Sequence, residues 1–189
     1  MKDYIEESAK LRSEADAVLA KSKIADRLAR FGRVEFTGSY RYDLMTWRDI
    51  DMCLVIKAPD PATMFEIGRR LTGIEGLATM YYRNEFVLKT PGNPRCMFWI
   101  LELMHKRKLW KIDILVADEK KVARITAPGR LLMKRLTPES RETILKLKTR
   151  LCKLKEYRRK FRSTDIYDAV LSERVKTLKE WERWRRARK

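Results

Sequence analysis

The sequence predicts an α+β fold: a mixed β-sheet with flanking helices on one side, followed by a C-terminal helical lobe. Three observations predict it. Apolar residues recur at helical spacing through the first thirty residues. Alternating, branched segments then fill residues 34 to 117, punctuated by Gly and Pro. Past Asp118 the helical spacing returns and persists. With 189 residues and 44% apolar content the chain has material for a real core. The length suits one domain, or a compact core with an appended lobe. We read residues 1–118 as the core with its N-terminal helix, and 119–189 as a basic helical lobe packed on it.

Each element follows from local pattern. Ile5, Leu11, Ala15, Leu19, Ile24 and Leu28 mark one long amphipathic helix, which Gly32 ends. Val34 to Thr37 is a short strand running into Gly38-Ser39. Asp49 to Ile56 alternates and is rich in branched residues, as a second strand would be. Pro59 and Pro61 bracket a break before a helix over Thr63 to Leu71. LATMYY, EFVLKT, RCMFWILELM and LWKIDILVA then read as β segments, with turns at Pro91 to Pro94 and His105 to Lys108. Connections this short make neighbours antiparallel. Further on, Ile144, Leu147, Leu151, Leu154 and Phe161 share one helical face, and Tyr167, Leu171, Val175, Leu178 and Trp181 share another. Pro138 suits a helix start, and Ser163-Thr164-Asp165 a capped break between the two.

The formal charge of +18 points to polyanionic partners: nucleoside triphosphates, nucleic acid or an anionic surface. No run approaches the roughly 18 apolar residues of a membrane span, and the charged N-terminus lacks a secretory signal's apolar stretch. The expectation is a cytoplasmic protein without a membrane partner. Cys53, Cys96 and Cys152 are odd in number and far apart, which fits neither a disulfide framework nor a zinc motif. Residues 141–189 hold 18 Lys/Arg against 7 Asp/Glu, and Trp181 to Lys189 interleaves tryptophans with cations. That pattern is either a nucleic-acid surface or a solvated basic helix with inward tryptophans. Leu178 and Trp181 continue the apolar stripe, which favours the second reading for the tryptophans.

The chemistry concentrates in the stretch from Phe36 to Ile56. Side chains alternate across a strand, so Asp49 and Asp51 share one face while Ile50, Met52 and Leu54 take the other. Two adjacent carboxylates repel unless hard cations bind between them and a phosphate substrate. Gly38 lets backbone approach a phosphate, and Ser39 adds a hydroxyl and an N–H. Asp113, flanked by Ile112 and Ile114, is a third carboxylate on an apolar strand, where leaving it unpaired is costly. If the two strands are neighbours, the three acids converge. Arg41, Arg48 and Lys111 flank them, with Arg48 the candidate for triphosphate oxygens. His105, the only histidine, sits in a polar turn and is assigned no catalytic role.

Gly38-Ser39, nine intervening residues, then Asp49-Ile50-Asp51 in an apolar strand resembles the signature of the DNA polymerase β-like nucleotidyltransferase superfamily, with Asp113 matching its third acid. The resemblance covers roughly residues 31 to 117. It implies two-metal catalysis with magnesium (or manganese) on Asp49, Asp51 and Asp113. It also implies a nucleoside triphosphate co-substrate, ATP being the commonest, with its phosphates on Gly38 and Ser39. The reaction implied is transfer of a nucleoside monophosphate to an acceptor hydroxyl, releasing pyrophosphate. RNA, a small molecule such as an antibiotic, and a protein hydroxyl are the candidate acceptors, and RNA suits the basic C-terminal helices. A cationic aminoglycoside suits this chain poorly, because such substrates need acidic pockets. The competing reading is a non-catalytic nucleic-acid-binding module that keeps the fold.

Overall fold

A computed structural model of the protein describes residues 3–188; Lys189, the last cation of the tail, lies outside them. Five strands form one sheet in the order β1-β2-β5-β4-β3: β1 Arg33–Thr37, β2 Asp49–Val55, β3 Leu77–Asn84, β4 Met97–His105 and β5 Lys108–Ala117. β2 and β5 run parallel, and every other pair is antiparallel, so the sheet is mixed. The β4–β5 hairpin turns on Lys106 (φ 47°) and Arg107 (φ 61°), the two left-handed residues that a tight hairpin turn requires.

One face of the sheet is sealed. Ile50, Met52 and Leu54 of β2 and Ile112, Ile114 and Val116 of β5 are buried under α1 (Tyr4–Ser22), α2 (Ile24–Ala29) and α4 (Pro61–Leu71). The other face is only partly covered. There Cys53, Leu115 and Ala117 meet Val122 of α6 (Glu119–Arg135). Helices therefore lie against both faces, because the alternation that buries Ile50 on one side presents Cys53 on the other. Burial pushes the Cys53 and Cys96 thiols up to about 12, as for inert core cysteines.

A third cluster joins the segment before β2 to the last helices. Tyr42 and Leu44 pack with Ile144, Leu147 and Leu151 of α7 (Pro138–Leu151). Ile166 and Val170 of α8 (Ser163–Glu173) and Trp181 of α9 (Leu178–Ala187) complete it. Gly129 allows α6 to close on this cluster, since a Cβ there would overlap the Tyr42 ring. Among the described residues, no helix is long and apolar enough to cross a membrane.

The expectation of helices on one side gives way to helices on both faces, and four others need correction. The N-terminal helix is not continuous: Lys23 is left-handed (φ 50°) and divides α1 from α2. EFVLKT is not a strand but begins with one helical turn, α5 (Glu85–Leu88). The buried Glu85 carboxylate accepts from Arg83, Asn93 and the Thr90 N–H, which curls the segment back on itself. The apolar face from Ile144 stops being helical at Leu151, leaving Leu154 exposed and Phe161 buried in a loop. Finally, Arg174 (φ 55°) separates α8 from α9.

Candidate active site

The parallel register sets Asp51 directly beside Asp113, with Asp49 beside Lys111. Side chains at these positions point away from the sealed core, so all three acids share the open face. One oxygen from each of Asp49, Asp51 and Asp113 lies within 4.8 Å of the others. Separate stretches of the chain thus converge, as the alternation predicts.

The cluster is electrostatically expensive. Desolvation, and then the charges of Asp49 and Asp113, push Asp51 up to about 7. Burial likewise raises Asp113, opposed by the neighbouring Lys111 ammonium. Buried oxygens of Asp49 and Asp113 (Oδ1 in each) accept no hydrogen bond among the described residues. Three clustered carboxylates, two of them with an oxygen that accepts no hydrogen bond, are a donor set that suits magnesium or manganese. That chemistry fits this site.

β1 leads into the site through Thr37, which pairs with Asp51. Gly38 follows with φ +64°, a backbone that disfavours any Cβ. Here space forbids one as well: an added Cβ would overlap the Asp51 carboxylate, standing 2.8 Å from its Cγ. The glycine thus lets backbone lie directly on the acid. Gly38 opens a short helix, α3 (Gly38–Arg41), with Ser39 buried in it, where the sequence suggested only a turn.

Cations surround the acids, though not the one expected. Arg48 turns toward α1, its guanidinium 3.0 Å from Glu14, and does not line the cleft. Lys111 instead pairs with Asp113 and stands 3.6 Å from Asp49. Arg158, from the loop between α7 and α8, reaches Asp49 at 3.3 Å. Lys148 of α7 is fully buried; its ammonium donates to the Leu44 carbonyl at 2.7 Å and lies 4.3 Å from the Trp47 ring centre. Desolvation lowers Lys148 to about 7 against the pull of Asp51 and Asp49. Trp47 in turn donates to Asp49 at 3.2 Å. Arg41 and His105 do not line the cleft.

Sequence reasoning missed Lys148, Arg158 and Trp47. Lys148 carried a signal: it falls on the apolar stripe of Ile144 and Leu151, where a lysine needs a reason to be. Arg158 carried none, being one cation in a basic loop. The acids floor a cleft of about 810 Å3. Its walls include Gly38, Ser39, Lys148, Tyr157, Arg158 and Tyr167, and its volume suits a nucleotide.

No protein-family model matches the sequence, and no curated protein does. Solved structures do resemble it. The RNA terminal uridylyl transferase Cid1 matches over 86% of this chain and 47% of its own, with a TM-score of 0.59 and 14% identity. The non-canonical poly(A) polymerase complex GLD-2–GLD-3 matches over 94% and 62%, with a TM-score of 0.54 and 12% identity. A cytoplasmic RNA terminal U-transferase matches over 88% and 47%, with a TM-score of 0.53 and 16% identity. The chain thus spans about half to two-thirds of the structures it matches. At these identities the likeness shows the fold. It is an α+β nucleotidyltransferase fold, the one that the resemblance of the Gly-Ser and Asp-x-Asp signature implies.

Proposed function

We propose that the protein transfers a nucleoside monophosphate from a nucleoside triphosphate to the 3′ hydroxyl of an RNA. The single observation that carries the reading is the convergence of the Asp49, Asp51 and Asp113 oxygens within 4.8 Å, with Gly38 against Asp51. The RNA acceptor draws support from the +18 charge and from the likeness to an RNA terminal uridylyl transferase and a poly(A) polymerase. Residues 1–118 serve as the catalytic core, and 119–189 as the lobe that holds the acceptor.

Asp49, Asp51 and Asp113 would hold magnesium or manganese, which when bound would supply charge to the phosphates and acidity to the attacking hydroxyl. The residues of the chain do the rest. Gly38 and Ser39 present backbone and hydroxyl to the triphosphate, while Lys148 supplies positive charge beneath it. Lys111 and Arg158 balance the carboxylates until phosphate oxygens arrive. The acceptor oxygen forms a bond to the α-phosphorus as the bond from that phosphorus to the pyrophosphate oxygen breaks. Pyrophosphate leaves with the electron pair, and Asp113 takes the hydroxyl proton. Positioning and charge account for most of the acceleration.

The test is incubation with each labelled triphosphate, ATP first, plus magnesium or manganese and a mixture of RNA, protein and small-molecule acceptors. We expect label on RNA 3′ ends and at least a thousandfold loss in Asp51→Asn, about 4 kcal/mol of transition-state stabilisation. RNA binding without transfer by either protein would leave a binding module with this fold.

A further inference from the structure

The surface of the fold is not uniformly basic. On α1, Arg12 pairs with Asp16 and Asp43, and Lys21 with Glu75. On α4, Arg69 and Arg70 both pair with Glu66, and Arg33 of β1 pairs with Glu35 and Glu119. Other exposed cations, among them Arg30, Lys57, Lys120, Arg124 and Lys134, have no such partner among the described residues, and the loop of residues 152–162 gathers cations of this second kind. It holds six Lys/Arg against one acid. Lys153, Lys155, Arg159 and Lys160 are all exposed, and among the described residues none of the four has a carboxylate partner.

This loop has a fixed shape. Tyr157 packs edge-on to Trp47 and to Phe161, at ring distances of 5.6 and 5.7 Å, and Phe161 packs on Trp181 at 5.3 Å. The Tyr157 hydroxyl shares a 2.7 Å hydrogen bond with Ser163. Above this aromatic base the backbone is tightly turned: the Lys160 N–H donates to Glu156, and the Arg158 N–H to the Phe161 carbonyl. The cations stand on the outside of a rigid turn, which limits the entropy lost when they meet a ligand.

The position of the loop gives it a direction. Arg158, in the middle of the loop, touches Asp49, and Arg162, its last residue, reaches the Gly92 carbonyl at 3.5 Å. Arg158 and Arg162 both line the cleft. A strand whose terminal hydroxyl sits at the acids would leave past Arg158 and Arg162, and the unpaired Arg159 and Lys160 lie between these two in the chain.

We infer that residues 152–162 bind the sugar-phosphate backbone of a single-stranded RNA immediately upstream of the hydroxyl that reacts. This rests on the RNA reading above and assigns the acceptor's path. Contact is to phosphate, so the surface is indifferent to sequence.

The test uses the full chain and a fluorescent single-stranded RNA, with binding measured across a potassium chloride series without triphosphate or metal. Each phosphate contact to a single strand contributes about 0.7 to the slope of log affinity against log salt. Replacing Lys153, Lys155, Arg159 and Lys160 together with alanine should flatten that slope by about 2 to 3. It should also raise the acceptor KM at least tenfold while the triphosphate KM stays within twofold. A variant lacking Arg30 and Lys57, near the far end of β2, should keep the slope. Asp51→Asn should bind RNA like the unaltered protein; binding through the loop without any transfer of label by the unaltered protein would sink the catalytic reading and leave only the loop's contact with RNA phosphate standing. An unchanged slope in the fourfold variant, no binding at low salt, or equal flattening in the Arg30/Lys57 variant overturns the inference. So does label arriving on polypeptide with the fourfold variant's kinetics unaltered.

Discussion

The two faces of β2 and β5 are built from alternate residues of the same strands, yet they have opposite physics. Ile50, Met52, Ile112 and Ile114 face α1, α2 and α4 and are fully enclosed. Asp49, Asp51 and Asp113, one residue away in each case, face a cleft and repel one another. On the first face every side chain gains from burial. On the second, burial works against the charged forms of Asp51 and Asp113, and the neighbouring cations do not fully offset it. A sheet can hold this cost only because the opposite face is so well packed. The sealed face supplies the stability, and the open face spends part of it on a site.

Mutations on the two faces should therefore have opposite signatures. Ile112→Ala removes a core side chain and should cost about 2–5 kcal/mol of unfolding free energy in urea titrations. Asp51→Asn should cost nothing in stability without metal at neutral pH, since it removes one of three repelling charges, while abolishing transfer. Equal destabilisation by the two would show that the acids are structural, and the contrast between the faces would collapse.

Gly38 is where the faces touch, and its replacement should fall between these cases. Alanine there must adopt φ +64° and push on the Asp51 carboxylate. We expect a loss of about 1–3 kcal/mol together with loss of transfer. Gly38→Ala combined with Asp51→Gly should recover part of the stability and none of the activity. Absence of any recovery would mean that the backbone angle alone, rather than the contact with Asp51, sets the cost.

The open face should also mark the pH profile. Asp51 is raised to about 7 when folded, against about 3.9 unfolded. Between those values the unfolded chain gives up this proton first, so stability falls as pH rises, by at most about 1.4 kcal/mol per unit. Lys148 has the reverse sign: lowered to about 7 when folded, it makes stability climb from there toward its unfolded value of about 10.4. Asp49, Asp113, Lys111 and Arg158 surround both groups and move the midpoints together. In a chelator, the melting temperature should pass through a minimum near neutrality. Magnesium or manganese should lift it increasingly as Asp51 loses its proton through pH 7, and Asp51→Asn should flatten the acid limb. A melting temperature that rises steadily from pH 5 to 7 without metal would contradict this account.

The strands and the acids were legible because alternation forces both. A carboxylate between two isoleucines leaves few choices about which way it points. What the sequence concealed has more than one physical origin. Lys23, Lys89 and Arg174 take left-handed backbone and end α1, α5 and α8, although nothing in their identity marks a break. A stop rule keyed to glycine passes over all three. A different gap extended one helical face from Leu151 into the 152–162 loop, since α7 ends at its cap, Cys152, with right-handed backbone and no stop residue. It thereby hid Arg158, whose contact with Asp49 exists only because that loop folds back. Lys148 was readable in principle as the one cation on an apolar stripe. Arg48 was misplaced for a different reason: adjacency to Asp49 in sequence says nothing about direction when a strand begins at the next residue.

Arg48 gives the finest test, because it stands at the border between the faces. Its guanidinium donates to Glu14 of α1 at 3.0 and 3.2 Å, and Lys108 binds the other oxygen of the same carboxylate at 2.5 Å. Glu14 is held below the usual carboxylate range by these partners, first by Lys108. Arg48→Ala should accordingly cost less than about 1 kcal/mol of stability, as partly exposed ion pairs do, because Lys108 still answers Glu14. The triphosphate KM should change less than twofold. Arg158→Ala, by contrast, leaves Asp49 with Lys111 as its remaining cation and should weaken triphosphate binding several-fold. If the order is reversed, with Arg48→Ala raising the triphosphate KM tenfold, then Arg48 must exchange Glu14 for phosphate when substrate binds. In that case the cleft would be completed from the α1 side of the sheet as well as from the loop.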